Sequence, residues 1–212
     1  MPEILKKARV LANYVNSLEP FHNFQYTQHS SYNHIGGLYT DVILQAGLNY
    51  NTIVKPRVSR VINTFPDCHT VSGFENKISE VGIEKIIEWK NSEKTQRILS
   101  LVEFSKQNGI EYESDLLHFL QTKSNQEKVL ELRGIGLKTL HYTMKLLCVD
   151  CVAVDRHINT FINHAGIHAE QYDEVKQIVE FAADLLETSR AKLDKFIWSL
   201  MSNNIQIRIV LD

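Results

Sequence analysis

The chain has 212 residues, long enough to bury a substantial core, and its 43% hydrophobic and 23% charged residues exclude a disordered polymer. Four prolines and nine glycines leave no Pro/Gly-rich linker, and nowhere is there a run of about 18 apolar residues, the length a membrane span needs. A formal net charge of −2 excludes a global positive field, so any contact with nucleic acid has to use a local patch.

Taken in chain order, helical periodicity dominates. Ile4, Leu5, Ala8, Leu11, Ala12, Val15 and Leu18 recur at helical spacing, interrupted by Lys6, Lys7 and Arg9. A signal peptide needs an unbroken apolar centre, so a cytoplasmic protein is expected. The same spacing predicts helices over Leu38 to Gly47, Ile53 to Phe65, Ile83 to Trp89, Lys94 to Gln107 and Asp115 to Gln121. Lys55, Arg57 and Arg60 form a basic cluster on the second of these, readable as a nucleic-acid patch or as a solvated helix face. Ser124 with Glu127 three positions later has capping-box spacing and predicts a helix from about Asn125 to Leu132.

That helix stops at Gly134, and Lys138 to Cys148 forms the next, with Leu140, Met144 and Leu147 on its apolar face. Ile158, Phe161, Ile162 and Ala165 continue at helical spacing to Gly166, and Val175 to Leu186 and Leu193 to Met201 follow. Only the tail, Ile205 to Leu211, alternates as a strand does, and a lone strand cannot build a sheet. The fold class is all-α, and the central hairpin leaves chain on both sides to build two lobes. Cys68, Cys148 and Cys151 suit reduced thiols. The Cys148-x-x-Cys151 pair lacks two further nearby ligands for zinc or iron–sulfur, so burial at a helix end is preferred and no metal is expected.

The segment Leu132-Arg133-Gly134-Ile135-Gly136-Leu137-Lys138-Thr139 joins two glycines and a lysine, and Asp155 follows Lys138 by seventeen residues. Gly134 and Gly136 suit a turn too tight for side chains, with N–H groups that can approach a phosphate closely, strengthened by the adjacent helix N-terminus. Lys138 is the candidate nucleophile. Asp155 is a candidate carboxylate, and it also stands where an N-cap for the helix of Ile158 and Phe161 belongs. His157 reads as structural.

These residues, with Val154-Asp155-Arg156-His157-Ile158, resemble the signature of the helix-hairpin-helix DNA glycosylase superfamily, especially its endonuclease III branch. The resemblance covers roughly residues 38 to 200. It implies a two-lobed helical fold with a central interlobe cleft. One lobe, residues 34–148, is a six-helix barrel ending in the helix-hairpin-helix at about 125–148. The other is built from residues 1–33 and 149–212. It further implies a monomer acting on damaged double-stranded DNA, away from membranes and in the nucleoid.

The same resemblance implies base-excision repair: a damaged, oxidised base is rotated out of the duplex and its place is filled by side chains, here Gln45 and Trp89. Arg133, Gly134, Ile135, Gly136 and Thr139 would hold the DNA backbone, and the hairpin carbonyls an alkali cation. Arg133 stands where relatives usually have proline. Branch members commonly carry four cysteines near the C-terminus for an iron–sulfur cluster. No cysteine follows Cys151, so no cluster and no required cofactor is expected.

The chemistry follows from residue types. Breaking an N-glycosidic bond passes through a cation-like sugar, which the Asp155 carboxylate can stabilise. The Lys138 amine can displace the base and hold the sugar as a Schiff base, permitting strand cleavage by elimination, an AP lyase step. For attack the amine must be neutral, against an ordinary pKa of about 10.4. Burial and the helix N-terminus lower it, while a nearby Asp155 acts the other way. Two alternatives remain open: a monofunctional glycosylase for alkylated bases, in which Asp155 activates water, and a non-catalytic helix-hairpin-helix DNA-binding module.

Overall fold

The computed structural model describes residues 2–27 and 30–202, and among these the regular structure is helical throughout. The alternating tail at 205–211 lies outside the described residues. No helix among the described residues is long and apolar enough to cross a membrane. The chain divides into two compact units, residues 30–148 and residues 1–29 with 149–212.

The larger unit is built around α3 (Ile35–Leu44), which is buried along its whole length. The preceding helices, α1 (Glu3–Asn16) and α2 (Glu19–His22), belong to the other unit. The spacing of apolar residues puts the start of α3 at Leu38, but it begins three residues earlier. His34 caps it, Nδ1 accepting from the Gly37 N–H at 3.0 Å while Nε2 bonds the Phe65 carbonyl at 2.9 Å. The two glycines that look like a break are places of close approach, since a Cβ at Gly37 would lie 2.7 Å from Ile62 and one at Gly36 would lie 3.0 Å from Cys68. A wide π-type turn over Tyr50–Val54 leads into α4 (Lys55–Thr64).

α5 (Val71–Val81) has no counterpart among the helices the periodicity predicts. Its first turn contains Ser72 and Gly73, weak helix formers, and it is held by Thr70, whose hydroxyl accepts from the Gly73 N–H at 3.0 Å. α6 (Ile83–Ile87), α7 (Ser92–Gln107) and α8 (Glu113–Phe119) complete the wall around α3. α9 (Lys123–Leu130) starts two residues before the predicted Asn125, because the cap is Thr122 and Ser124 already lies inside the first turn. α10 (Leu137–Leu146) then packs on α3 and on α9. Ile35, Leu38, Val42, Phe74, Ile86, Ile98 and Leu140 form the centre of this core.

The smaller unit joins α1 and α2 to α11 (Arg156–His164), α12 (Tyr172–Leu185) and α13 (Arg190–Ser202). α1 lies along α12, where Lys7 donates to Glu174 at 2.7 Å and to the His168 carbonyl at 2.8 Å. Leu11, Val15, Phe161, Ile178 and Phe196 fill its core, with Phe21 edge-on to Phe196 at 5.1 Å.

Candidate functional site

The hairpin occupies residues 131–136 between α9 and α10. Gly134 has φ +85°, in the left-handed region, and the Ile135 N–H closes the turn on the Leu132 carbonyl at 3.0 Å. A Cβ at Gly134 would run into the Arg97 guanidinium, which lies against the hairpin with its Nε buried and no hydrogen-bond partner among the described residues.

Gly136 differs from the expectation. Its φ of −109° and ψ of −179° are extended backbone that any residue adopts, and an added Cβ there meets nothing within 4 Å. The turn therefore requires glycine only at 134. What a side chain at 136 would obstruct is the approach of a ligand to the exposed backbone and to the first turn of α10, which no side chain caps. Among the described residues the N–H groups of Gly134 and Gly136 make no hydrogen bond.

The other hairpin residues separate. Arg133 is exposed. Ile135 is buried in the core, and its N–H is already used in the turn. Thr139 is buried as well, with its carbonyl accepting from the Thr143 hydroxyl at 2.9 Å. Neither side chain is presented to a ligand, so Glu131, Arg133 and the two glycines make the exposed hairpin surface.

Lys138 lies in the first turn of α10. Its Nζ donates to the Gln45 side-chain carbonyl and stands 4.9 Å from the centre of the Tyr142 ring, one turn further along the same helix. Gln45 sits at the C-terminal end of α3, and its Nε2 reaches back to the Val42 carbonyl at 3.3 Å. The structure thus brings Gln45 to Lys138. Lys94 holds that helix end, donating from Nζ to the Ile43 carbonyl at 2.9 Å and the Ala46 carbonyl at 2.8 Å, and burial pushes its pKa down.

Behind these residues lies a group that sequence reasoning missed. Asp41, fully buried in α3, accepts from Tyr32 at 2.6 Å and Tyr50 at 3.3 Å on Oδ2, and from Tyr142 at 2.9 Å on Oδ1. Three hydroxyl donors around one side chain suit a carboxylate, which can only accept. Burial, and then the Asp41 charge, push all three tyrosines up, Tyr50 to about 12, so each stays a donor at neutral pH.

Trp89 is packed inward against Leu44, Val54 and Val58, with the Arg57 guanidinium 5.2 Å from its ring centre. Its Nε1 is buried with no partner among the described residues. The Lys55, Arg57 and Arg60 cluster is neither a free patch nor a solvated face: Arg57 also donates to the Glu88 carbonyl at 3.2 Å, and Arg60 pairs with the Glu88 carboxylate at 2.8 Å. Two of its three charges tie α4 to the end of α6.

In the smaller unit the chain from 152 to 154 lies outside any helix and is held through its N–H groups. Val152 donates to Glu180 at 3.4 Å, Ala153 to Asp194 at 2.9 Å, and Val154 to the Tyr172 hydroxyl at 3.3 Å. This segment delivers Asp155 as the N-cap of α11. Oδ1 accepts from both the His157 N–H at 2.8 Å and the Ile158 N–H at 3.1 Å. One carboxylate oxygen therefore does all the capping. His157 is half-buried. Cys148, with φ +66°, is exposed rather than buried, whereas Cys151 is buried.

No protein-family model matches the chain, and no curated protein is similar to it in sequence. Among solved structures it is similar to the 8-oxoguanine DNA glycosylase of Methanocaldococcus jannaschii, at 15% identity and a TM-score of 0.53 over 97% of this chain and 95% of that one. It is likewise similar to the 8-oxoguanine glycosylase/lyase of that organism in complex with a 15-mer DNA containing 8-oxoguanine. There the identity is 15% and the TM-score 0.54, over 99% of this chain and 100% of that one. The chain has the all-helical fold of the helix-hairpin-helix DNA glycosylases.

Proposed function

We propose that this protein is a base-excision DNA glycosylase with an associated lyase activity, that Lys138 is its nucleophile, and that Asp155 stabilises the cation-like sugar. The observation that carries the proposal is the placement of the Lys138 amine. It lies in the uncapped first turn of the helix that follows an exposed two-glycine hairpin, and it is gripped by Gln45 and Tyr142. A module that only bound DNA would use the hairpin backbone and would have no need to orient that amine.

The hairpin binds without reading sequence, through the N–H groups of Gly134 and Gly136 and the Arg133 side chain, all suited to phosphate oxygens. Nζ of Lys138 then attacks the anomeric carbon of an extruded nucleotide. The bond to the base breaks, and the base leaves with its electron pair and takes up a proton. Opening of the sugar ring gives a Schiff base between lysine and sugar. That imine acidifies the adjacent carbon, whose proton is lost as the 3′ phosphate departs, and water finally frees the lysine. Asp155 retains an oxygen not used in capping and supplies negative charge where positive charge develops. An alkali cation at the hairpin carbonyls belongs to the same reading, as does gap filling by Gln45; Trp89, packed against Leu44, Val54 and Val58, is not placed to fill the gap.

An oxidised base is the proposed substrate class, and 8-oxoguanine, the lesion in the DNA complex of similar fold, is the first to test. The protein is incubated with duplexes carrying 8-oxoguanine or an oxidised pyrimidine, with and without borohydride. Base release with a borohydride-stabilised protein–DNA adduct supports the proposal. Release without adduct supports a monofunctional glycosylase, and binding with neither supports a DNA-binding module.

A further inference from the structure

Asp41 needs a reason to be where it is. A carboxylate in the middle of a helix buried on every side is costly even when its hydrogen bonds are made, and an apolar residue of similar size would fold α3 more cheaply. Tyr32, Tyr50 and Tyr142 come from three separate stretches of chain to satisfy it.

The arrangement around it is a two-rung ladder between α3 and α10. Asp41 on α3 and Gln45, which caps its C-terminus, stand one turn apart, and Lys138 and Tyr142 stand one turn apart on α10. One rung joins Asp41 to the Tyr142 hydroxyl, and the other joins Gln45 to Nζ of Lys138. The Tyr142 ring also faces Nζ at 4.9 Å, so Gln45 and Tyr142, which both meet the amine, trace back to the same five-residue stretch, Asp41 to Gln45. Donation of the Tyr142 hydroxyl to a carboxylate fixes the plane of the ring and enriches its electron density, which strengthens its hold on a cation.

We propose that Asp41 is a positioning residue for Lys138, acting through Tyr142 to hold the amine in its attacking orientation. This deepens the reading of Lys138 as nucleophile and rests on it. Asp41 touches neither the sugar nor the base. Its role is to remove the rotational freedom of a long side chain before the substrate arrives, and misplacement of a reacting group by about 1 Å costs up to ~100-fold in rate.

The test uses a duplex with an abasic site, which isolates Schiff-base formation from base release, and compares Asp41→Asn, Tyr142→Phe and the double variant with the wild type. Two quantities are read: affinity for the duplex without borohydride, and the single-turnover rate of adduct formation with it. The expected result is affinity within about twofold of wild type, with trapping slowed about 10-fold in Tyr142→Phe and about 10- to 100-fold in Asp41→Asn. The double variant should be no slower than Asp41→Asn, since both lie on one line of action. Wild-type trapping rates in a folded Asp41→Asn, or parallel losses of affinity and rate, overturn the proposal. Should Asp41→Asn not fold, Tyr142→Phe, which leaves two hydroxyls on Asp41, decides by the same criteria. Absence of any adduct in the wild type overturns the reading of Lys138 itself, and this inference with it.

Discussion

Replacing Asp155 by asparagine and, separately, by alanine divides its two roles. In the structure one oxygen, Oδ1, accepts both capping bonds, from His157 at 2.8 Å and Ile158 at 3.1 Å. Asparagine retains a carbonyl oxygen that can accept both, so Asp155→Asn loses only the charge at the start of α11, about 0.3–1 kcal/mol. Alanine loses the cap as well and should cost about 1–2 kcal/mol. Catalysis should respond differently. If Asp155 has the proposed role, both variants remove the negative charge that stabilises the sugar cation, an effect of about 100- to 1000-fold, so both should slow base release by that amount. The assay is single-turnover base release from an 8-oxoguanine duplex, developed by alkaline strand scission, set beside urea unfolding of each variant. Equal activity losses with unequal stability losses are expected. An Asp155→Asn protein that releases base at the wild-type rate, or activities that follow the stability order, would refute the catalytic role and leave Asp155 as a cap alone.

The two hairpin glycines should also behave differently. Gly134→Ala forces a side chain to φ +85° and against Arg97, and should cost about 1–2 kcal/mol of stability by urea titration. Gly136→Ala should fold normally and yet bind duplex DNA about 10- to 100-fold more weakly, because its Cβ stands in the path of a phosphate; unchanged affinity in a salt-controlled titration would remove the hairpin from the interface. Lys94→Met deprives the end of α3 of two charged hydrogen bonds, at 2.9 and 2.8 Å, and should lower stability by about 2 kcal/mol while slowing Schiff-base trapping through Gln45. His34 is held neutral by burial, with its pKa below the ordinary 6.5. Its contribution is therefore fully present above pH 6.5 and is lost as pH falls through that value toward the lowered folded one. His34→Asn keeps an acceptor for the Gly37 N–H and should flatten the decline in stability between pH 7 and 5, measured by unfolding at each pH.

How legible these features were in the sequence depended on how local their cause is. The hairpin, Lys138 and the capping position of Asp155 follow from glycines, a helix start and an N-cap within a few residues of one another. The Asp41 group does not, because its tyrosines stand nine residues before it, nine after and about a hundred later, and no spacing rule joins them. One signal was present: an aspartate inside the apolar stretch from Ile35 to Leu44, which had to be paired wherever it was buried. Gly136 misled because glycine at 134 needs a left-handed turn and the neighbouring glycine looked as though it shared that need. Arg57 and Arg60 fit neither of the two readings the sequence leaves open, a DNA patch or a solvated face, because their charges are used on Glu88 and Trp89. α5 was hidden by a polar first turn that depends on Thr70.

In the proposed mechanism the Lys138 amine forms a covalent bond with the sugar. Borohydride-reduced adduct from a damaged duplex, digested with protease and nuclease and sequenced by mass spectrometry, locates that bond. A single modified peptide carrying the deoxyribose remnant on Lys138 is expected, and no adduct from Lys138→Ala. A remnant on another residue, or an undiminished adduct in Lys138→Ala, would contradict the mechanism.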